Sequence, residues 1–281
     1  MIRRLAALGL LLLLACSRTP GEGPPAGFTP AGRRVLSLAP NLTETVFALG
    51  QGSRVVAVTV NDHFPPEVER LPRIGDMQPD LERILALKPD LVLLDRNLHP
   101  PELEARLRAL GLPLVVVETR SLGDLQRNLP VLGRALGAEE EARRALEAFQ
   151  AGLREVERQA ASMPRHPRVF VEIWGEPLMT AGAGSLVHEL VERAGGRNVY
   201  GDLAEAWPTL STEDLVRRDP DLVLLTSTEP SAAAALPGWS RLQAVRKGRL
   251  YRVDPDLVVR PTLRTLEGLR KLQALFQEAA R

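Results

Sequence analysis

The sequence is short of several things at once. It has a single cysteine, Cys16, in 281 residues, which excludes a disulfide framework, a cysteine-built zinc site and an iron–sulfur cluster within the chain. Charge of one sign is also missing. Thirty-six basic residues stand against 35 acidic ones, a formal net charge of +1, so bulk electrostatics offers no hold on nucleic acid. Aromatic residues make up only 4%, which limits what any pocket can be lined with. Lysine occurs at Lys88, Lys247 and Lys271 alone, and arginine carries the rest of the positive charge. The longest apolar run, Leu5 to Leu14, is too short to span a bilayer comfortably. What is present suffices for a core: 44% of the residues are hydrophobic, and the length suits one large domain or two modest ones.

The short run is an address. Arg3 and Arg4 precede it and Leu13-Leu14-Ala15-Cys16 ends it, the pattern of an export signal. Its close resembles the lipobox of bacterial lipoproteins, which implies a signal peptide over 1–16 and Cys16 as the lipidated first residue. Residues 17–32 hold eight Gly or Pro in sixteen positions and read as a flexible tether. Loss of Arg3 and Arg4 leaves 34 basic residues against 35 acidic ones, a net charge of −1. Lipid, not a basic patch, is then the expected anchor, holding an extracytoplasmic protein to the bacterial cell membrane.

The fold is announced by an internal repeat. Residues 82–94 read ERILALKPDLVLL and residues 213–225 read EDLVRRDPDLVLL, so Glu82 aligns with Glu213 at an offset of 131. Asp80 and Ser211 are placed as N-caps, with Asp214 completing a capping box. Each copy is a short helix, a Pro-Asp break and an apolar run suited to a strand buried on both faces. An opening strand precedes each copy, from Arg34 in the first and Arg168 in the second. Asn41-Leu-Thr-Glu44 reads as a further capping box, and Val55 to Val60, Leu114 to Val117 and Leu250 to Val253 as further strands, with a helix from Glu102 to Leu110. Between the copies, apolar positions from Leu129 to Val156 recur at helical spacing. Gly137 divides this stretch into a shorter helix and a long one from about Ala138. The expectation is two α/β, Rossmann-like lobes with parallel sheets joined by a single long helix: 33–120, a connecting segment 121–163, and 164–281. A ligand belongs at the carboxyl ends of the strands.

Signs of catalysis are few. No nucleophile elbow, P-loop or dinucleotide fingerprint appears; Gly182-Ala-Gly184 and Gly195-Gly196 suit turns and helix caps. No HExxH motif or close pair joins His63, His99, His166 and His188. His166, between prolines, reads as solvated, and His188 as a surface or half-buried residue of a helix. His63 and His99 each follow a first-lobe strand, and either could offer a nitrogen to cobalt or haem iron.

Several motifs resemble the substrate-binding proteins of iron-complex and vitamin B12 ABC importers: Arg34 to Glu44, His63-Phe-Pro-Pro-Glu67, Gly75-Asp76 with Leu81 to Leu94, Trp207-Pro208 before Ser211, and Val259-Arg-Pro-Thr262. The cobalamin-binding branch is the nearest in kind. The resemblance implies a non-catalytic, monomeric binder of the helical-backbone periplasmic type, with no intrinsic cofactor and no nucleic-acid partner. Its ligand is a corrinoid such as cobalamin, or alternatively haem or a ferric siderophore. Its partner is an ABC permease dimer with ATPase subunits. Carried over by position, Trp174 and Trp207 contact the ring, Asp256 and Arg260 are late polar contacts, and Glu82 and Glu213 dock on permease arginines. Where that branch has first-lobe aromatics, this chain has Asn61, Met77 and Asp95. A siderophore anion would call instead for arginines, with Arg260, Arg96 and Arg73 available.

Overall fold

The computed structural model describes residues 34–76 and 78–280. The signal peptide, the tether, Cys16 and Met77 lie outside the described residues. Among these, no helix is long and apolar enough to cross a membrane.

The first lobe runs β1 (Val35–Ser37), α1 (Pro40–Ala48), β2 (Val55–Ala57), α2 (Leu81–Leu87), β3 (Leu91–Asp95), α3 (Pro101–Ala109) and β4 (Leu114–Val117). Its strands form a wholly parallel sheet in the order β2-β1-β3-β4. Two helices follow, α4 (Leu122–Leu136) and α5 (Glu139–Ala161). The second lobe contains β5 (Arg168–Gly175), β6 (Leu178–Thr180), α6 (Leu186–Arg193), β7 (Arg197–Asn198), α7 (Thr212–Arg218), β8 (Leu222–Leu225), α8 (Pro230–Ala234), α9 (Gln243–Arg246), β9 (Leu250–Arg252), α10 (Pro255–Val258) and α11 (Thr265–Ala279). Its sheet has the order β6-β5-β8-β9, with β7 beside the first half of β5 and only β6 antiparallel.

The central strands show why these runs became parallel sheets. Leu91 and Leu93 of β3 enter the core on one face, and Val92 and Leu94 the core on the other. On β8, Leu222 and Leu224 divide from Val223 and Leu225 in the same way. Both faces are therefore apolar, and burying each side chain stabilises the lobe by roughly 1.5–3 kcal/mol. Much of the scarce aromatic content goes into the second core, where Phe170 packs edge-on against Tyr200 and Trp239.

The sequence repeat persists in the hydrogen bonds. Asp80 accepts from the amides of Glu82 and Arg83 at 3.0 and 3.1 Å, and the Ser211 hydroxyl accepts from Asp214 at 3.2 Å. Caps of this kind stabilise a helix by ~1 kcal/mol. Both helices end on a left-handed residue that is not glycine, Lys88 (φ 45°) and Asp219 (φ 39°). Asp90 and Asp221 then accept the amides of Arg34 and Arg168, whose guanidinium groups donate to the carbonyls of Leu87 and Arg218.

Two local expectations are corrected. The helix after β1 begins at Pro40 with Ala39 as N-cap, so Asn41 and Glu44 are not its capping box but lie inside it, buried. Proline suits the first helical position because its missing N–H would have no partner there. The second strand stops at Ala57, and Val58 instead bridges Arg73.

α4 and α5 pack antiparallel, with Gln150 donating to Gln126 and Gly133 lying against Ala142. Each spans both lobes. Leu132 and Leu136 of α4 and Ala142 of α5 belong to the first-lobe core, whereas Leu125, Leu129, Phe149, Leu153 and Val156 belong to the second. Two α/β lobes are thus joined by a long helix with a shorter companion.

Candidate ligand cleft

Each strand of the first sheet delivers a cleft residue just beyond its carboxyl end: Leu38 after β1, Thr59 and Asn61 after β2, Asn97 to His99 after β3, and Thr119 after β4. Val259, Arg260 and Pro261, between α10 and α11, close the space from the second lobe. The volume of this open cleft is about 380 Å³, within the range of small-molecule sites. A wider polar hollow of about 830 Å³ around Arg168, Arg197 and Arg218 lies at the amino ends of the second-lobe strands, the wrong end for the ligand site of such a sheet.

Asp95 organises the first-lobe wall. Its carboxylate is fully buried and accepts from Asn41 Nδ2 (2.7 Å), the Asn97 amide (2.9 Å) and the Thr119 amide (3.2 Å). Its carbonyl accepts from His99 Nδ1 at 3.0 Å. A carbonyl can only accept, so Nδ1 carries a ring proton, and in the neutral ring Nε2 holds the lone pair. His99 is 7% exposed.

The lobes also meet along α1. Glu44 is paired with Arg264 across the seam at 3.5 Å, and the Arg264 guanidinium lies 3.8 Å from the centre of the Phe64 ring. Burial pushes the Glu44 carboxyl up, against the opposing pull of Arg264. Three polar atoms in this region are buried with no hydrogen-bond partner among the described residues: Asn41 Oδ1, Glu44 Oε2 and Arg260 Nη1. On the second lobe Trp174 and Trp207 are 56% and 37% exposed. They flank β6: Trp174 pairs with Met179, which bridges Thr209 beyond Trp207. Gly182 allows the intervening loop to come close, since a Cβ there would sit 2.1 Å from the Glu205 carbonyl oxygen.

Of the residues singled out from sequence, Asn61, Asp95, His99 and Arg260 line the cavity. Asp256 stands one remove away, 3.3 Å from Arg260. His63, Trp174 and Trp207 are exposed and are not among its lining residues, and Met77 is not described. Arg96 is bound to Glu104, and Arg73 donates to the carbonyls of Thr59 and Asp62. Arg260 is thus the one arginine of the three that reaches the cavity. His166 is exposed and His188 half-buried. Asn41, Thr59, Asn97 and Thr119 were missed, as were Arg264 and Phe64, although Phe64 lies in the very motif that drew attention to His63. Among the described residues no cluster of His, Cys, Asp or Glu could hold a metal ion.

The sequence model of the family described as periplasmic binding protein matches residues 35–257. The chain belongs to the periplasmic binding protein family. The chain is 31% identical over 247 residues to the uncharacterised ABC transporter substrate-binding lipoprotein YvrC of Bacillus subtilis (strain 168), covering 85% of this chain and 78% of that one. It is 32% identical over 212 residues to a vitamin B12-binding protein of Pectobacterium atrosepticum, covering 74% and 76%. The apo structure of the periplasmic haem-binding protein RhuT from Roseiflexus sp. RS-1 superposes with a TM-score of 0.82 at 28% identity, covering 89% of this chain and all of that one. This periplasmic binding protein is therefore of the ABC-transporter substrate-binding type, a class of solute binders that work with permease and ATPase subunits.

Proposed function

We propose that this protein captures cobalamin or a related corrinoid between its lobes and delivers it to an ABC permease. The observation that carries this reading is the chemistry of the cavity wall. Its polar groups are mostly amides and hydroxyls, from Asn41, Asn61, Asn97, Thr59 and Thr119, and its single arginine is already paired with Asp256. Such a wall suits a large ring edged with neutral carboxamides, whereas a ferric siderophore anion calls for unpaired cations. The exposed rings of Trp174 and Trp207 offer broad apolar contact to a macrocycle. Haem is the second reading, favoured by the likeness to RhuT.

Glu82 and Glu213 dock the loaded protein on the permease. Both lie in the first turn of a strand-feeding helix, exposed, and neither carboxylate has a hydrogen bond or ion pair among the described residues. Cys16 carries the lipid that keeps the protein at the outer face of the membrane. Titration of the purified protein with cyanocobalamin, haemin and a ferric siderophore tests the ligand: cobalamin binding at micromolar concentration or tighter is expected, and its absence overturns the corrinoid reading.

A further inference from the structure

We propose that His99 coordinates the cobalt of the bound corrinoid through Nε2 when the corrinoid carries an exchangeable axial ligand. The inference rests on the corrinoid reading above and adds a bond to it. Three observations carry it. His99 lines the cavity while being only 7% exposed, so packing fixes the ring. Its Nδ1–H is committed to the Asp95 carbonyl at 3.0 Å, which leaves the lone pair on Nε2. Among the described residues Nε2 has no hydrogen-bond partner, and the ring that carries it lines the cavity. A ring nitrogen whose neighbour is held by a backbone carbonyl is oriented and made more basic, the usual preparation of a metal-ligating histidine.

The surroundings favour coordination over a simple hydrogen bond. Leu38, Leu98, Val259 and Pro261 share the cavity with His99, and in an apolar setting an uncharged imidazole ligand is favoured over a charged one. The step is a ligand exchange. The Nε2 lone pair forms a Co–N bond as the Co–O bond to an axial water breaks, and the water leaves with its electron pair. Cobalt keeps its oxidation state, and the proton stays on Nδ1, hydrogen-bonded to the Asp95 carbonyl.

The test uses the purified full chain with two ligands that differ in that axial group. Aquocobalamin, whose water exchanges, should show a shift of its visible bands to longer wavelength on binding, and the shifted species should survive gel filtration. Cyanocobalamin, whose cyanide does not exchange, should bind without a shift. In His99→Ala and His99→Gln, checked for folding by circular dichroism, the aquocobalamin shift should be lost. Binding of aquocobalamin by the wild-type chain with an unchanged spectrum overturns the coordination and leaves the corrinoid reading standing. Failure of both cobalamins to bind overturns the two together.

Discussion

Two buried carboxylates tie down the loops that follow the central strands. On the first lobe Asp95 ends β3 and gathers the residues around it into the cavity wall. On the second lobe Glu172 of β5 accepts from Ser227 Oγ (2.5 Å), Thr228 Oγ1 (2.7 Å) and the amide of Thr226 (3.1 Å), so the loop after β8 is tied to its neighbour strand. Burial pushes the Glu172 carboxyl up, but the hydrogen bonds from Ser227 and Thr228 outweigh it and hold the group below its ordinary value of 4.5. The charged form therefore stabilises the fold above that value, and the contribution is lost as pH falls through the lowered native one. Glu172→Gln should lower stability by roughly 1–3 kcal/mol at neutral pH. In urea unfolding followed across pH, the gap between wild type and variant should narrow below about 4.5. Neither carboxylate could be assigned this part from sequence. Asp95 read as a ligand contact because it stands where the cobalamin-binding branch has a first-lobe aromatic, and what consumes its oxygens comes from residues 2, 24 and 54 positions away.

Among the elements, the strand-feeding helices were the most legible because local signals agreed: a polar cap, an apolar stripe and a Pro-Asp stop. The left-handed residues that end them were not legible, since Lys88 and Asp219 carry side chains that disfavour the conformation. The two positions are not equivalent. Asp219 has a compensating role, its carboxylate accepting from the Gln243 amide at 2.8 Å, whereas the Lys88 backbone alone serves the turn. Lys88→Gly should therefore raise stability by about 0.5–1 kcal/mol, read as a higher melting temperature. Asp219→Gly should gain less, or lose. The opposite failure occurred at α1. Its amino end carries a motif that imitates a capping box, but Pro40 starts the helix earlier and turns Asn41 and Glu44 toward the lobe seam, where tertiary contacts decide their surroundings.

The molecule as a whole was legible through symmetry. A repeat of thirteen residues located both central strands and both candidate docking acids, and the periodic stretch between the copies gave the connecting helices. The seam itself was not, because it unites Glu44 with Arg264, 220 residues apart. At this scale the docking proposal makes a distinct prediction: Glu82→Ala with Glu213→Ala should leave cobalamin affinity within twofold of wild type while transport in a reconstituted permease falls at least tenfold. Intact transport would remove the docking role. The 23 residues of α5 make a rod of about 34 Å at ~1.5 Å per residue, and its two halves are embedded in different cores. A rod so embedded cannot stretch, and the span between the two acids is thereby set by helix length rather than by any property of the acids. On the docking proposal, α5 is a molecular ruler: a permease whose basic sites are spaced otherwise would be refused on distance alone.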